Sequence, residues 1–244
     1  MIRILVNGYK GRMGQTILNS AKEFDEIEVC AKTDIDDKIE DYIQQCDVVV
    51  DFSYHEATVP ITRVCSQYLK PIVIGTTGHT EEEKKNIRSF IEKIPIVLSS
   101  NYSTGINTLF YLVRKAAEIL GLNYDNEIIE IHHRMKKDAP SGTALTLAEI
   151  LADVRKKKLS EIARYGRQGI VGERTSDEIG IHSVRAGDVV GDHTVIFATN
   201  GERVEITHKA STREAFAKGA LRAAIWIYGK NPGMYNMMDV LGLK

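Results

Sequence analysis

The chain has 244 residues, 43% hydrophobic and 27% charged, an ordinary globular composition with room for one large domain or two modest ones. Its 32 Lys and Arg nearly balance its 33 Asp and Glu, so no global field favours nucleic acid or an anionic membrane surface, and a small molecule is the expected partner. No apolar run reaches bilayer length, the N-terminus enters a strand pattern without the marks of a signal peptide, and Cys30, Cys46 and Cys65 share no C-x-x-C spacing; we therefore expect a cytoplasmic protein with reduced thiols.

Short apolar runs at 2–6, 27–31, 48–52, 72–74 and 96–98 read as strands. Stretches of helical period at 12–23, 57–68 and 81–92 lie between them, with a weaker one near 38–45. Strand then helix, repeated, predicts an α/β fold with a doubly wound parallel sheet of the Rossmann type. Such strands are apolar throughout because helices cover both faces, and ligands bind beyond their carboxyl ends.

The first strand feeds Asn7-Gly8-Tyr9-Lys10-Gly11-Arg12-Met13-Gly14, a G-x-x-G-x-x-G spacing that displaces the middle glycine of the dinucleotide fingerprint by one position. Glycines there let the backbone turn tightly and approach a pyrophosphate, while the following helix presents its amide donors. Asp34 stands at the end of the second strand, where a carboxylate can bond both ribose hydroxyls of NAD.

After about residue 101 the rhythm changes. A helix is expected at 106–120, a strand at 127–132, and a helix at 143–157 that opens after Pro140-Ser141-Gly142 and ends in lysines 156 to 158. Runs at 181–185, 194–198 and 203–208, separated by Gly-rich turns, look like antiparallel strands of a second sheet, so a second α+β domain with a mixed or antiparallel open sheet is expected. An amphipathic helix at 214–228 closes the chain and could return to either domain.

The stretch from Glu130 to Ala144 carries the most chemistry. Neighbouring side chains on a strand face opposite ways, so at most one of His132 and His133 points into a given cleft unless the strand ends there, and no third metal ligand is in view. Lys136 follows, and Ser141-Gly142-Thr143 opens a helix whose free amides and hydroxyls suit a carboxylate. An imidazole, a cation and an anion pocket suit an acid-assisted reaction on an anionic substrate.

The segment His132-His133-Arg134-Met135-Lys136-Lys137-Asp138-Ala139-Pro140-Ser141-Gly142-Thr143-Ala144 resembles the signature of the dihydrodipicolinate reductase family, E-x-H-H-x-x-K-x-D-A-P-S-G-T-A. The likeness extends to the 8–14 loop, Val50-Asp51-Phe52-Ser53, Ile74-Gly75-Thr76-Thr77-Gly78, Asn101-Tyr102-Ser103, Gly172-Glu173-Arg174, the block 184–193 and the block 206–213, nearly the whole chain in order. The resemblance implies an NAD(P)H-dependent reductase of a cyclic dicarboxylate imine on the route to diaminopimelate and lysine, using NADH or NADPH. It implies His132 and Lys136 as catalytic proton-handling groups. Gly8, Tyr9, Lys10, Gly11, Arg12 and Met13 would hold the pyrophosphate, Asp34 the ribose, and Gly75, Thr76, Thr77, Ser99, Ser100, Asn101 and Tyr102 the nicotinamide side. His133, Ser141, Gly142, Thr143 and Arg213 would hold the substrate carboxylates. It further implies a discontinuous dinucleotide-binding domain, 1–103 with 213–244, a substrate and oligomerisation domain at 104–212, a homotetramer, and return of the last helix to the first domain. The link 35–46 is shorter than in many members.

Two other readings are weaker. An aspartate-semialdehyde or homoserine dehydrogenase type would need motifs or a placed catalytic cysteine that cannot be found. A non-catalytic NAD(P)H-sensing module would not need the His132 and Lys136 constellation.

Overall fold

The computed structural model describes residues 1–243. In chain order the elements are β1 (Ile2–Asn7), α1 (Arg12–Ser20), β2 (Ile27–Thr33), β3 (Val48–Asp51), α2 (His55–Gln67), β4 (Ile72–Ile74), α3 (Glu81–Arg88) and β5 (Pro95–Leu98). Then come α4 (Thr104–Leu120), β6 (Asp125–His132), α5 (Gly142–Val154), α6 (Leu159–Ile162), β7 (Ala163–Tyr165), β8 (Ile179–Arg185), β9 (Gly191–Thr199) and β10 (Glu202–Ala210). The chain ends with α7 (Glu214–Ile227), β11 (Gly233–Tyr235) and α8 (Met237–Leu241). Two compact units result: Met1–Thr104 joined by the chain from Arg213 onward, and Gly105–Thr212.

The first unit is built on a six-stranded sheet in the order β11-β5-β4-β3-β1-β2, with every pairing parallel. Alternate residues of its strands enter two cores. Ile4, Val6, Val48, Val50, Val73 and Val97 meet α1 and α7 on one face, and Leu5, Val49, Ile72, Ile74 and Ile96 meet α2 and α3 on the other. The final helix returns to this unit: Ala217, Ala220, Leu221, Ala223, Ala224 and Ile227 are fully buried in its core. The chain leaves β1 for β2 on one side and resumes at β3 on the other, so the carboxyl ends of β1 and β3 form the switch point where ligands of this architecture sit. The weak helix near 38–45 is instead two 3-10 turns, Ile39–Asp41 and Ile43–Gln45, with Ile39 and Ile43 as their buried residues, too little to support a full helix.

The second unit carries a five-stranded mixed sheet in the order β10-β9-β6-β8-β7. One expectation is corrected here. The run at 181–185 lies in β8, which pairs parallel with both β6 and β7; β9 and β10 are antiparallel as expected. The cause lies in the crossing after β8: Ala186 N–H donates to the His132 carbonyl (2.9 Å) and Arg134 N–H to the Gly187 carbonyl (3.1 Å). The chain thus passes over the end of β6 and descends on its far side as β9. Ile128, Ile179, Ile181, Val195 and Phe197 face the helices α4 and α5, while the alternate residues line an open face. Four elements have no counterpart in the sequence reading, α6, β7, β11 and α8; each has three to five residues, too few to display a period.

Candidate active site

In the first unit β1 ends at Asn7 and the chain turns at Gly8, whose φ is +81° and where a Cβ would overlap the Phe52 carbonyl. Gly11 N–H closes the turn on the Gly8 carbonyl (3.1 Å), and Gly8 N–H reaches the Thr33 carbonyl at the end of β2 (2.8 Å). Helix α1 then starts with no side-chain cap and no acid in its first turn, so its amide donors and positive pole are directed at the turn. That is the donor set a pyrophosphate requires. Asp34 is brought to the same turn, accepting the backbone N–H of Lys10 at 2.9 Å on Oδ2 and that of Ile35 at 3.0 Å on Oδ1. The Lys10 and Lys32 ammonium groups flank the Tyr9 ring, 5.9 and 5.3 Å from its centroid. Arg12 is exposed and Met13 is half-buried against the core.

Gly75, Thr76 and Thr77 follow β4, and Ser99, Ser100, Asn101 and Tyr102 follow β5, all along the carboxyl edge of the sheet. Thr77 and Ser100 are exposed; Ser99 Oγ donates to the Asn101 carbonyl (2.9 Å). Tyr102 is buried, its hydroxyl shared between the Ile74 and Val97 carbonyls at 2.8 and 3.0 Å, and burial raises its pKa well above the usual phenol range. The side chain of Tyr102 is therefore committed to the sheet. Thr76 is also turned inward, toward the wholly buried Asp51 at the end of β3. Asp51 accepts hydrogen bonds from Asn7 Nδ2 (2.8 Å), Ser53 Oγ (2.6 Å), Thr58 Oγ1 (3.0 Å) and Thr76 Oγ1 (3.2 Å).

In the second unit β6 stops at His132, so the two histidines part company. His132 is buried on the face shared with Glu130, and His133 is half-buried in the turn that follows. His132 Nδ1 bonds Glu130 Oε2, and its ring meets His193 of β9 edge-on with centroids 5.1 Å apart. Burial lowers the His132 pKa below the ordinary imidazole value, with Glu130 pulling the other way and Lys136 and Arg185 adding to the fall. The ring is thus neutral at pH 7 and donates Nδ1–H to the carboxylate, leaving Nε2 bare. A Cβ at Gly191 would lie 3.0 Å from Nε2, so the absence of a side chain there keeps that nitrogen clear.

Burial opposes ionisation of Glu130, but hydrogen bonds from Arg185, Ser183 and His132 prevail and hold its pKa at about 2. Lys136, partly buried, pairs with Asp138 at 2.9 Å. Ser141 caps α5 by accepting the Ala144 N–H (3.2 Å) and also contacts His193 Nε2 (3.2 Å), so its buried hydroxyl is engaged inside the protein. Gly142 is exposed and Thr143 half-buried at the same helix start. Arg213 lies in the first unit, exposed, at the N-cap of α7.

Four residues of these networks, Glu130, Arg185, His193 and Asp51, lie in the quoted blocks but carry no assigned role in the sequence analysis. Glu130 carries a usable signal, since residues two apart on a strand share a face. His193 is buried, with its pKa pushed down to about 3 by desolvation and by the nearby His132.

Comparison with known proteins adds an independent line. A family model described as dihydrodipicolinate reductase, N-terminus, matches residues 2–102, and one described as dihydrodipicolinate reductase, C-terminus, matches residues 105–241. The 4-hydroxy-tetrahydrodipicolinate reductase of Akkermansia muciniphila is 52% identical over 243 residues, covering 100% of this chain and 99% of its own. That of Citrifermentans bemidjiense is 41% identical over 267 residues, with 100% of both chains covered. Among solved structures, a dipicolinate-bound dihydrodipicolinate reductase from Paenisporosarcina sp. TG-14 superposes with a TM-score of 0.78 at 23% identity over 98% of each chain. At that identity the structural likeness is one of fold.

Proposed function

The chain belongs to the dihydrodipicolinate reductase family, and from that premise we propose that it reduces the cyclic dicarboxylate imine of diaminopimelate and lysine biosynthesis with His132 and Lys136 as its proton-handling groups. The observation that carries the assignment is the buried His132 ring, held through Nδ1 with Nε2 bare, beside Lys136 and the exposed start of α5.

The cofactor is a nicotinamide dinucleotide, in keeping with the family's N-terminal nucleotide-binding half. Gly8 to Met13 and the uncapped start of α1 would hold its pyrophosphate and Asp34 its ribose; the 75–77 and 99–102 segments would line the nicotinamide side, Tyr102 through its backbone. When bound, the nicotinamide supplies a hydride to the conjugated ring of the substrate. The protein must then quench the negative charge that develops on that ring. A proton delivered from Lys136, or from His132 after its bare Nε2 has taken one up from solvent, does this, an effect worth about 10²–10⁴ in rate. Holding the substrate carboxylates at Gly142, Thr143 and His133, on the helix start that Ser141 caps, fixes the ring for that transfer.

Both NADH and NADPH are accepted in this reading, because Asp34 disfavours a 2′-phosphate while Lys10, Arg12 and Lys32 offset the repulsion. We assign the protein to the cytoplasm; among the described residues no helix is long and apolar enough to cross a membrane. A homotetramer is supported by the open face of the second sheet, where Ile129, Ile131 and Ile196 are half-buried and Val184 is exposed. Oxidation of NADH and NADPH with freshly generated cyclic imine tests the reading. Turnover lost in His132→Gln supports it, and turnover unchanged removes His132 from the chemistry.

A further inference from the structure

Glu130 is fully buried, and each of its oxygens is used at least twice. Oε2 takes His132 Nδ1 and Arg185 Nη1 (2.9 Å); Oε1 takes Arg185 Nη2 (2.8 Å) and the Ser141 N–H (3.2 Å). Arg185 stands directly opposite His132 in the register of β8 on β6. Its fork also holds the carbonyls of Val184 (2.8 Å) and Asp138 (2.6 Å), and Asp138 is the residue that pairs with Lys136. One carboxylate and one guanidinium thus reach His132, the turn bearing Lys136, and the start of α5.

A carboxylate alone beside a buried imidazole would draw a proton onto the ring and keep it there. A bidentate guanidinium on the same carboxylate opposes that pull and fixes the oxygens in a plane. The other groups around the ring add to the balance: His193 from β9 meets it edge-on, Lys136 from the turn after β6 acts on it and is itself paired with Asp138, and His208 of β10 stands opposite His193.

We propose that Glu130 and Arg185 act as a positioning clamp on His132, Glu130 fixing the tautomer that leaves Nε2 bare and Arg185 balancing the carboxylate so that the ring exchanges its proton instead of retaining it. The clamp rests on the reading of His132 as a proton-handling group. Its distinguishing consequence is a pair of opposite effects. Arg185→Met leaves the carboxylate unopposed and moves His132 titration to higher pH by about one unit, whereas Glu130→Gln leaves Arg185 without its carboxylate and moves it lower. A purely structural role for either residue predicts no such opposition.

The test is ring ¹⁵N NMR of the histidine-labelled full chain, with His132→Gln used to assign the signal, alongside kcat/KM against pH for the same variants. Nδ1 protonated in the wild type, with opposite displacements in the two variants, supports the clamp. An Nε2–H tautomer, or displacements that are absent or share a direction, overturns it. Arg185→Lys guards against loss of fold in the methionine variant: the charge is kept without the fork, so the titration stays near wild type while kcat drops about tenfold, and a fully wild-type kcat overturns the clamp. Should the NMR midpoints move as expected while the activity profile stays still, the clamp stands and the catalytic reading of His132 falls.

Discussion

Two buried carboxylates lie at the carboxyl ends of the two central strands, and their surroundings differ in kind. Asp51 in the first unit is met by an amide and three hydroxyls, all neutral. Glu130 in the second is met by a guanidinium and an imidazole as well as by an amide N–H and the Ser183 hydroxyl. Neutral donors can fix a geometry but cannot respond to a change of charge, so the Asp51 network ties β1, β3, α2 and the loop after β4 into a rigid shelf. Charged and titratable partners suit the Glu130 site to the proton transfer proposed for His132. The difference separates holding from reacting, and it can be attacked from either side.

The largest effect is expected at the reacting end. His132→Gln should lower kcat by about 10²–10⁴ with little change in substrate KM, because the proton is needed in the transition state and not for binding. Steady-state kinetics checks this, and a selective rise in KM would move His132 to the holding class.

Acid should distinguish the units next. Glu127 and Glu130 are held at about 2 and His193 at about 3, below the ordinary values of 4.5 and 6.5. Groups with depressed folded pKa values stabilise above their unfolded values, and that contribution is lost as pH falls through the folded ones. The histidine contribution therefore begins to decline below pH 6.5 and the carboxylate contribution below 4.5, each tenfold difference in proton affinity being worth about 1.4 kcal/mol. Hydrogen exchange at falling pH should show amides of β6 and β9 losing protection before those of β1 and β3; the reverse order would dissolve the contrast.

Asp51→Asn sharpens it from the other side. Replacing an acceptor by an amide among four donors should cost about 1–3 kcal/mol and lower Tm by several degrees. We expect cofactor KM to rise while kcat stays within about twofold, since only the shelf is disturbed. A collapse of kcat at saturating cofactor would place Asp51 among the reacting groups.

The smallest effect is expected at Asp34. Wild-type kcat/KM should favour NADH modestly, and Asp34→Ala should raise relative NADPH use by about three- to tenfold, less at high salt. A strong NADPH preference that the substitution leaves untouched would mean that Asp34 does not meet the ribose.

How much of this was legible in the sequence depended on how local each signal was. The glycine turn and Asp34 lie within one β-α-β segment, so their spacing alone announces them, and the structure joins them through Lys10 N–H. The place of His132 on the face of Glu130 follows from strand alternation, and that of His133 from the end of β6 at His132. Arg185 and His193 were out of reach because their places depend on the register of β8 and β9 against β6, and β8 reads as antiparallel from its turns when it is parallel. Asp51 looks like the polar end of an apolar run; its donors come from four separate segments that only the folded sheet assembles.

The return of α7 to the first unit imposes an order in time. Synthesis proceeds from the N-terminus at about 5–20 residues per second, so the segment 105–212 is made whole while one face of the first sheet still lacks part of its cover. Helix α1 already shields Ile4 and Val6, but Val50, Val73 and Val97 stay uncovered until the alanine-rich helix is made. The unit begun first is finished last. A chain truncated after residue 212 should therefore hold a protease-resistant second unit and a first unit that binds chaperones and hydrophobic dyes, and restoring the remaining residues should end that binding.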